Sequence, residues 1–215
     1  MSLRHAATVC VVRSAPAGYE VLLGKRALAA SFMGGAHVFP GGSIDEIDGV
    51  RAGDHGDAGA HAAVRETFEE MAIALTHPVP NDFSYRQQDF EAVANETDPT
   101  QLLYLSTWVT PAFLPIRFDT RFYLCAVPAD TEAIVDGHEL IESAWITPTD
   151  ALAKLAAGDW QCASPTIAHL KYLSGHPSLE ELWESATTGR HLDLLDQFLI
   201  EGHRLGDLGT QGTRA

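Results

Sequence analysis

The chain has 215 residues, a formal net charge of −15 and a hydrophobic fraction of 46%. This composition suits one globular domain with an apolar core, with or without a helical extension. No basic block offsets the acidic charge, which argues against nucleic acid and anionic membranes as partners.

The cysteines and the hydropathy pattern bear on the compartment. Cys10, Cys125 and Cys162 are far apart in the sequence, so we expect buried free thiols rather than a disulfide. No apolar run approaches the ~20 residues needed to cross a bilayer. The N-terminus lacks the charged and apolar regions of a signal peptide. These features together predict a cytoplasmic protein.

The N-terminal part of the chain predicts strands. Residues 7–12 form an apolar, β-rich run, and residues 19–26 alternate loosely after a turn signal, so the two predict a β-hairpin. Residues 37–39 predict a short strand that ends at a Pro-Gly-Gly turn. Residues 43–59 are rich in glycine and aspartate and predict a long surface loop, a feature that is often functional.

The rest of the chain mixes strands and helices. The predicted strands cover residues 102–110, 121–127 and 143–147, and the predicted helices cover residues 60–74, 85–95, 150–157, 164–173, 179–186 and 192–201. Residues 205–215 predict a flexible tail. The pattern therefore predicts one α/β domain over residues 1–204, with extra helices at its C-terminal end.

Three glutamates on the predicted helix 60–74 form the main candidate site. Glu66, Glu69 and Glu70 share one face, because steps of three and four return to the same side of a helix. Their mutual repulsion costs about 0.2–0.5 kcal/mol per pair. Arg65 is the only cation close by in the sequence. Such a face either lies in open water or binds a cation, and a hard divalent ion is the natural candidate.

This helix and the Pro-Gly-Gly turn resemble the Nudix box, written Gly-x5-Glu-x7-Arg-Glu-U-x-Glu-Glu-x-Gly-U, where U is a bulky aliphatic residue. The matching residues of the second half are Arg65, Glu66, Glu69, Glu70 and Ile73, while Thr67 replaces an aliphatic residue and Ala72 replaces glycine. The first half is longer than the standard box, so residues 49–59 look like an insertion. Asp48 occupies the place of the first box glutamate when counted from Gly42.

The resemblance implies an α/β/α sandwich around a mixed sheet and hydrolysis of a diphosphate linkage with Mg²⁺ or Mn²⁺. The implied metal ligands are Glu66, Glu69, Glu70 and a peptide carbonyl of Gly41 or Gly42. The implied role of Arg65 is to hold a glutamate by charged hydrogen bonds. For the catalytic base, Glu66 is the first choice, and Glu139 and Glu142 are the candidates on a distal loop.

Further segments narrow the resemblance. Residues 22–26, 32–42, 117–123 and 139–145 are similar to an expanded-box Nudix subgroup that includes peroxisomal-type coenzyme A and acyl-coenzyme A diphosphatases. The resemblance implies a nucleotide-type substrate. Coenzyme A or an acyl-coenzyme A is the first choice, and NADH, ADP-ribose or a sugar nucleotide is the alternative. The cations available for its phosphates are Lys25, Arg26, Arg117 and Arg121. A nucleotide-sensing domain without activity and a scaffolding protein are the remaining alternatives, and a homodimer stays open.

Other polar residues have simpler interpretations. Solvation in a loop is expected for Asp45, Asp48, Asp54 and Asp57 in preference to metal binding. Arg121 either binds phosphate or forms a salt bridge with Asp119 or another carboxylate. We expect packed or surface positions for His37, His61 and His138, and core positions for Trp108 and Trp145.

Overall fold

The computed structural model describes residues 3–30, 33–75, 90, 94, 97–110 and 116–189, and in this part of the chain a mixed seven-stranded sheet lies between two layers of helices. The strands are β1 Leu3–Ala15, β2 Gly18–Arg26, β3 His37–Val38, β4 Gly41–Ser43, β5 Leu103–Val109, β6 Arg117–Val127 and β7 Leu140–Ile146. The helices are α1 Glu46–Ala52, α2 Ala58–Met71, α3 Pro148–Ala157, α4 Ser164–Ser174 and α5 Leu179–Thr187. The α/β class and the sandwich architecture are confirmed.

Strand β1 pairs with two different strands along its length, and this pairing determines the position of the glycines of β4. The main strand order is β3-β2-β1-β6-β5, with β1 and β6 parallel. Strand β1 pairs with β2 only through residues 12–15, which leaves residues 6–8 free to pair with β4. In this register Ala7 lies opposite Gly42 on one side and Arg121 on the other. The two glycines predicted as part of a turn are therefore residues of β4, held beside the central strand. We call this pair the Gly41-Gly42 turn.

Alternation along β1 separates the two cores. Val9 and Val11 face the layer formed by α2, whereas Cys10 and Val12 face the layer formed by α3, α4 and α5. Successive side chains of a strand point to opposite faces, so a continuous apolar run is what a strand covered on both sides requires. Helices α3, α4 and α5 thus cover one face of the sheet.

Several predicted boundaries move by a few residues. Strand β6 begins at Arg117 rather than 121, because its first residues pair in parallel with the start of β1 at Leu3. Helix α2 ends at Met71 rather than 74, since Ala72 takes a left-handed conformation with φ 53° and donates its N–H to the carbonyl of Phe68. Ser178 caps the N-terminus of α5, where its hydroxyl accepts a hydrogen bond from Glu181 N at 3.2 Å.

The prediction of a loop over residues 43–59 is wrong. Helix α1 and a short 3₁₀ turn, Gly53–His55, lie within this segment. Asp45 precedes the helix, and its backbone N–H donates to the Asp48 carboxylate at 2.9 Å, as in the reciprocal half of a capping box. The glycines and aspartates that suggest a loop thus include the residues that start a helix.

Other predictions meet the structure only in part. The predicted helices 85–95 and 192–201, the tail 205–215 and the domain boundary at 204 lie wholly or almost wholly outside the described residues. All three cysteines are free, with Cys10 and Cys125 buried and Cys162 partly exposed. Among the described helices, none combines the length and apolar character that a membrane span requires.

Candidate active site

The N-terminus of α2 is fixed to strand β6 through one carboxylate. Asp57 precedes the helix and accepts a hydrogen bond from Gly59 N at 2.9 Å. Arg121 donates to the same carboxylate at 2.6 Å, and the hydroxyl of Tyr123 donates at 2.7 Å. Burial favours the neutral acid, but these hydrogen bonds and the arginine charge outweigh it and lower the pKa of Asp57. Asp57 thus stays at the surface, with its side chain 42% exposed, while its carboxylate is also bound to β6.

Arg65 donates hydrogen bonds to three carboxylates of the site. Its guanidinium group donates Nε and Nη2 to the two carboxylate oxygens of Asp48, at 3.1 and 2.9 Å. Nη1 donates to Glu66 at 2.8 Å and to Glu69 at 2.9 Å, and Nη2 also reaches the carbonyl of Ser43 at 3.0 Å. Burial alone lowers the pKa of Arg65, but the hydrogen bonds to Asp48 and the charge of Glu66 reverse this and raise it.

Asp48 is fully buried and forms a bidentate pair with Arg65. The expected loop solvation of Asp48 is therefore wrong, because α1 carries this carboxylate into the interior against α2. Asp45 remains at the surface, where its side chain is 61% exposed and lies 3.7 Å from Arg65. The planar fork of arginine matches a carboxylate in this geometry, so Asp48 fixes the orientation of the guanidinium group.

Two of the three helix glutamates lie against the glycine turn. Glu70 accepts a hydrogen bond from Gly41 N at 2.9 Å. A Cβ on Gly42 would lie 2.5–2.7 Å from the carboxylate atoms of Glu66, so a side chain there would push this carboxylate out of its present position. Gly41 has φ 148°, and a Cβ there would collide with the backbone of β1. Glycine at position 41 is therefore required by the backbone, and glycine at position 42 lets the Glu66 carboxylate stay against β4.

The positive charge near Glu66 and Glu70 does not offset the cost of burying their carboxylates. Burial raises the pKa of Glu66 to about 7, in spite of Arg65, with Glu69 and Glu139 adding to the rise. Burial also raises the pKa of Glu70 to about 8, in spite of the hydrogen bond from Gly41. The third glutamate differs, because the Glu69 side chain is 46% exposed. The buried part of the cluster is thus where a cation would relieve the largest desolvation cost.

The two distal carboxylates have different surroundings. Glu139 directly precedes Leu140, whose side chain lies with that of Met71, the last residue of α2, against Gly24. The negative charge of Glu139 raises the pKa of both Glu66 and Glu70. Glu142 instead forms an ion pair of 2.9 Å with Lys25 on the neighbouring strand β2. Both glutamates are exposed. The arrangement brings Glu139 to the cluster and leaves Glu142 engaged by a lysine.

The four candidate phosphate-binding cations are also differently placed. Lys25 is paired with Glu142, and Arg121 is paired with Asp57 rather than with Asp119. Arg117 donates Nε to the carbonyl of Thr110 at 3.0 Å. Arg26 has a buried Nε without a hydrogen-bond partner, and its charge lowers the pKa of Glu70. Arg26 is therefore the cation of this set that the structure associates with the glutamate cluster.

The donor set fits a hard divalent metal. The carboxylates of Glu66 and Glu70 offer oxygen ligands, which Mg²⁺ and Mn²⁺ prefer, in a position where burial makes a bare negative charge costly. Within the described ranges no three side chains of His, Cys, Asp or Glu already surround one point closely enough to hold an ion. Arg65 occupies one oxygen each of Glu66 and Glu69, so it competes with a dication for them.

His37, Trp108 and Trp145 pack against other side chains. His37 is 6% exposed and stacks on Trp160 with ring centroids 3.9 Å apart. Trp108 and Trp145 are partly buried against the two cores, and Arg13 lies over the ring of Trp145. The expected core positions of both tryptophans are confirmed. One residue with several contacts near the cluster, Asp136, was missed, because a lone aspartate before glycine reads simply as a turn signal.

Comparisons with known proteins agree with this geometry. A family model described as NUDIX domain matches residues 3–169. The crystal structure of a NUDIX hydrolase from Alicyclobacillus acidocaldarius superimposes with a TM-score of 0.72 and 31% sequence identity, covering 84% of this chain and 95% of that one. The likeness therefore extends over nearly all of that solved hydrolase.

Two curated relatives carry functional names. A putative nudix hydrolase 7 of Caenorhabditis elegans is 33% identical over 174 residues, which cover 72% of this chain and 56% of the relative. The acyl-coenzyme A diphosphatase NUDT19 of Homo sapiens is 26% identical over 253 residues, covering 85% of this chain and 67% of that protein. The chain spans between 56% and 67% of the length of the curated relatives it matches.

Proposed function

The chain belongs to the Nudix domain family, and from this premise we propose that it is a pyrophosphohydrolase and propose its substrate and its site. The substrate is coenzyme A or an acyl-coenzyme A, and the products are 3′,5′-ADP and 4′-phosphopantetheine or its acyl form. The ion is Mg²⁺ or Mn²⁺, held by Glu66, Glu69 and Glu70 with a peptide carbonyl of Gly41 or Gly42.

One observation carries the proposed site: Glu66 and Glu70 are packed against the Gly41-Gly42 turn with too little positive charge around them. Arg65 is already shared among Asp48, Glu66 and Glu69, so it cannot neutralise the whole cluster. Buried carboxylates that only fold a protein are normally paired. A cluster whose carboxylates lack sufficient positive charge, next to glycine backbone, is suited to binding a divalent cation.

The chemistry of diphosphate hydrolysis requires different contributions from the metal ion and from the side chains. A bound Mg²⁺ or Mn²⁺ supplies charge for the phosphate oxygens and acidifies water. The chain's own residues bind and orient. Arg65 fixes the carboxylates of Glu66 and Glu69 by hydrogen bonds, and Arg26, whose charge lowers the pKa of Glu70, is the proposed contact for phosphate. Glu66 is the first choice as proton acceptor, with Glu139 as the distal alternative.

The choice of substrate rests on similarity and on charge. Acyl-coenzyme A diphosphatases are among the curated relatives, at 26% identity or less. The net charge of −15 disfavours an anionic ligand in general, so local cations and a metal are needed to bind one. Arg26 and Arg117 are the proposed contacts for the substrate's phosphates, whereas Lys25 and Arg121 would first have to leave their carboxylate partners.

The first experiment is a substrate panel. We expect the protein with Mg²⁺ or Mn²⁺ to cleave coenzyme A and an acyl-coenzyme A faster than NADH, ADP-ribose and a diadenosine polyphosphate. Mass spectrometry of the products should identify 3′,5′-ADP, and a sample with EDTA should give none. Faster cleavage of NADH or ADP-ribose would support the proposed diphosphate hydrolysis but would contradict coenzyme A as the preferred substrate. Tight nucleotide binding without cleavage of any compound would support the sensing alternative.

The distal base can be tested by a matched pair of variants. We expect Glu139→Gln to lower kcat by about 10-fold or more, because a general base or a charge at the cluster contributes in that range. Glu142→Gln should change kcat by less than about 2-fold, since its partner is Lys25 at an exposed site. A larger loss in Glu142→Gln than in Glu139→Gln would reverse the assignment.

The proposed setting follows from the same chain. Three free cysteines support a reducing, cytoplasmic location. The acidic net charge supports a small nucleotide-type substrate as the partner, without nucleic acid or membrane. A homodimer stays a prediction, for which gel filtration with light scattering is the direct measurement.

A further inference from the structure

The segment between β6 and β7, residues 128–139, is bound to the C-terminal end of α2. Ile134 N donates to the carbonyl of Met71 at 2.9 Å, and Asp136 N donates to the carbonyl of Glu70 at 3.0 Å. The last four carbonyls of a helix have no partner within the helix. Two of them are satisfied here by this segment, so its position is tied to the helix that carries the glutamates.

The side chain of Asp136 then orders the residues that follow. One carboxylate oxygen accepts hydrogen bonds from His138 N at 3.2 Å and Glu139 N at 2.9 Å. The other oxygen accepts from Leu140 N at 2.9 Å. An ionised carboxylate has about four acceptor sites and no donor, so it can take all three bonds at once. Aspartate is therefore suited to this position, whereas asparagine would replace one acceptor oxygen with a donor.

Two further contacts hold Glu139 on either side. Its carbonyl accepts from Ala27 N at 2.9 Å, in the chain just after β2. Leu140 is fully buried and, like Met71, lies directly against Gly24, where a Cβ would meet both side chains at 2.6 Å. The backbone of Glu139 is thus fixed between a buried neighbour and the Asp136 carboxylate, although its own side chain is exposed.

We propose that Asp136 is a positioning residue, which holds Glu139 as a further carboxylate beside Glu66 and Glu70 through hydrogen bonds to the backbone of residues 138–140. This rests on the proposed function, because it gives Glu139 a part in binding the dication or in accepting a proton. Asp136 touches neither substrate nor metal in this scheme. It acts through Glu139, and the effect of removing it should disappear once Glu139 is neutral.

A double-mutant cycle with Mn²⁺ alone as the probe tests the proposal without any substrate. We expect Asp136→Asn and Glu139→Gln each to raise the Kd for Mn²⁺ by about 3- to 30-fold, the range of coupling between residues in one network. The double variant should bind no more weakly than Glu139→Gln. Asp136→Glu keeps the charge but displaces the acceptor oxygens, so it should also bind Mn²⁺ more weakly than the wild type.

The matched control is Asp130→Asn, the same charge change on an exposed residue of the same segment. It should leave the Kd unchanged. Amide hydrogen exchange at residues 138–140 should accelerate in Asp136→Asn and not in the control. With coenzyme A as substrate, Asp136→Asn should lower kcat about 10-fold in the wild-type background and less than about 2-fold in the Glu139→Gln background.

Two results would overturn the inference in distinguishable ways. Equal losses from Asp136→Asn with and without Glu139 would show that Asp136 acts independently, and the proposed function would remain. A wild-type protein that neither binds Mn²⁺ nor cleaves any diphosphate would overturn the proposed function and the role of Asp136 together. A thermal unfolding curve for each variant confirms that the losses are measured on folded protein.

Discussion

Replacement of Glu70 by glutamine is expected to abolish hydrolysis and, at the same time, to stabilise the metal-free protein at pH 8. Glu70 is 4% exposed and is a proposed metal ligand. Glutamine has similar size and keeps a carbonyl oxygen that can accept from Gly41 N. It cannot supply the negative charge that a dication needs, so we expect kcat to fall by about 1000-fold or more, as for loss of a central electrostatic group.

The stabilisation follows from the pKa of Glu70. Burial raises the pKa of Glu70 to about 8 in the folded protein, from the ordinary value of 4.5 for a glutamate. Between these values the unfolded chain releases the proton while the folded protein retains it, so stability is complete below about pH 4.5 and is lost as the pH rises towards 8. The loss is on the order of 2–5 kcal/mol. Glu70→Gln removes this cost, and the metal-free variant should melt higher than the wild type at pH 8.

Thermal unfolding between pH 5 and pH 9 in EDTA measures this effect. The wild type should lose stability across the range, and Glu70→Gln should show a flatter profile. Glu180→Gln is the control, since it makes the same charge change at an exposed position on α5. Glu69→Gln should also abolish turnover with the fold intact, but without the gain, because its side chain is 46% exposed. Full activity in both site variants would rule out the proposed site.

The sequence was sufficient for the parts of the fold that depend on local pattern. The continuous apolar run of β1 predicts a strand covered on both faces, and Val9 and Cys10 indeed face different cores. The i, i+3 and i, i+4 spacing of Glu66, Glu69 and Glu70 needs only a helix to bring them to one face, and α2 provides it. These features could be predicted because each is decided by the periodicity of its own segment.

Features that depend on distant partners could not be predicted in the same way. Helix α1 contains a glycine and lies in a segment of low apolar content, so its pattern resembles a loop. It is stabilised by the buried pair of Asp48 with Arg65, seventeen positions away. The short strand β4 likewise depends on pairing with β1. Tertiary contacts outweigh local propensity in both cases.

The surroundings of the charged residues were the least predictable part of the candidate site. The sequence predicts Lys25 as a phosphate-binding cation and Glu142 as a candidate base, yet the two form one ion pair across β2 and β7. Arg121 was a candidate partner of Asp119 or of phosphate, and it binds Asp57 instead. Strand register decides these pairs, and register depends on the whole sheet rather than on any one segment.

The buried pair at the centre of the site leads to the second large expected effect, which concerns Asp48. Asp48→Ala should lower the free energy of unfolding by about 3–5 kcal/mol, because removing one partner leaves the other charge buried and uncompensated. Arg65 is 8% exposed and loses two of its hydrogen bonds in this variant. A loss of this size corresponds to a fall in Tm of about 6–20 °C for a chain of this length.

Activity should fall as well, because Asp48 also governs what Arg65 does to the glutamates. With Asp48 present, the guanidinium charge is divided among three carboxylates. Without it, the charge acts more strongly on Glu66 and Glu69 and repels an incoming dication. We therefore expect Asp48→Asn, the milder variant, to raise the Kd for Mn²⁺ and to lower kcat by about 10-fold or more, the scale of small misplacements in a site.

Asp45→Asn separates this effect from a general loss of negative charge. Asp45 is 61% exposed and 3.7 Å from Arg65, and asparagine is an equally good residue at a helix N-cap. The control variant should keep the Tm within about 2 °C, since exposed ion pairs contribute little. If both variants were equally stable and active, the buried pair would not be what holds Arg65 in place. A selective loss in the Asp48 variants would instead make the inserted helix α1 part of the site that it supports.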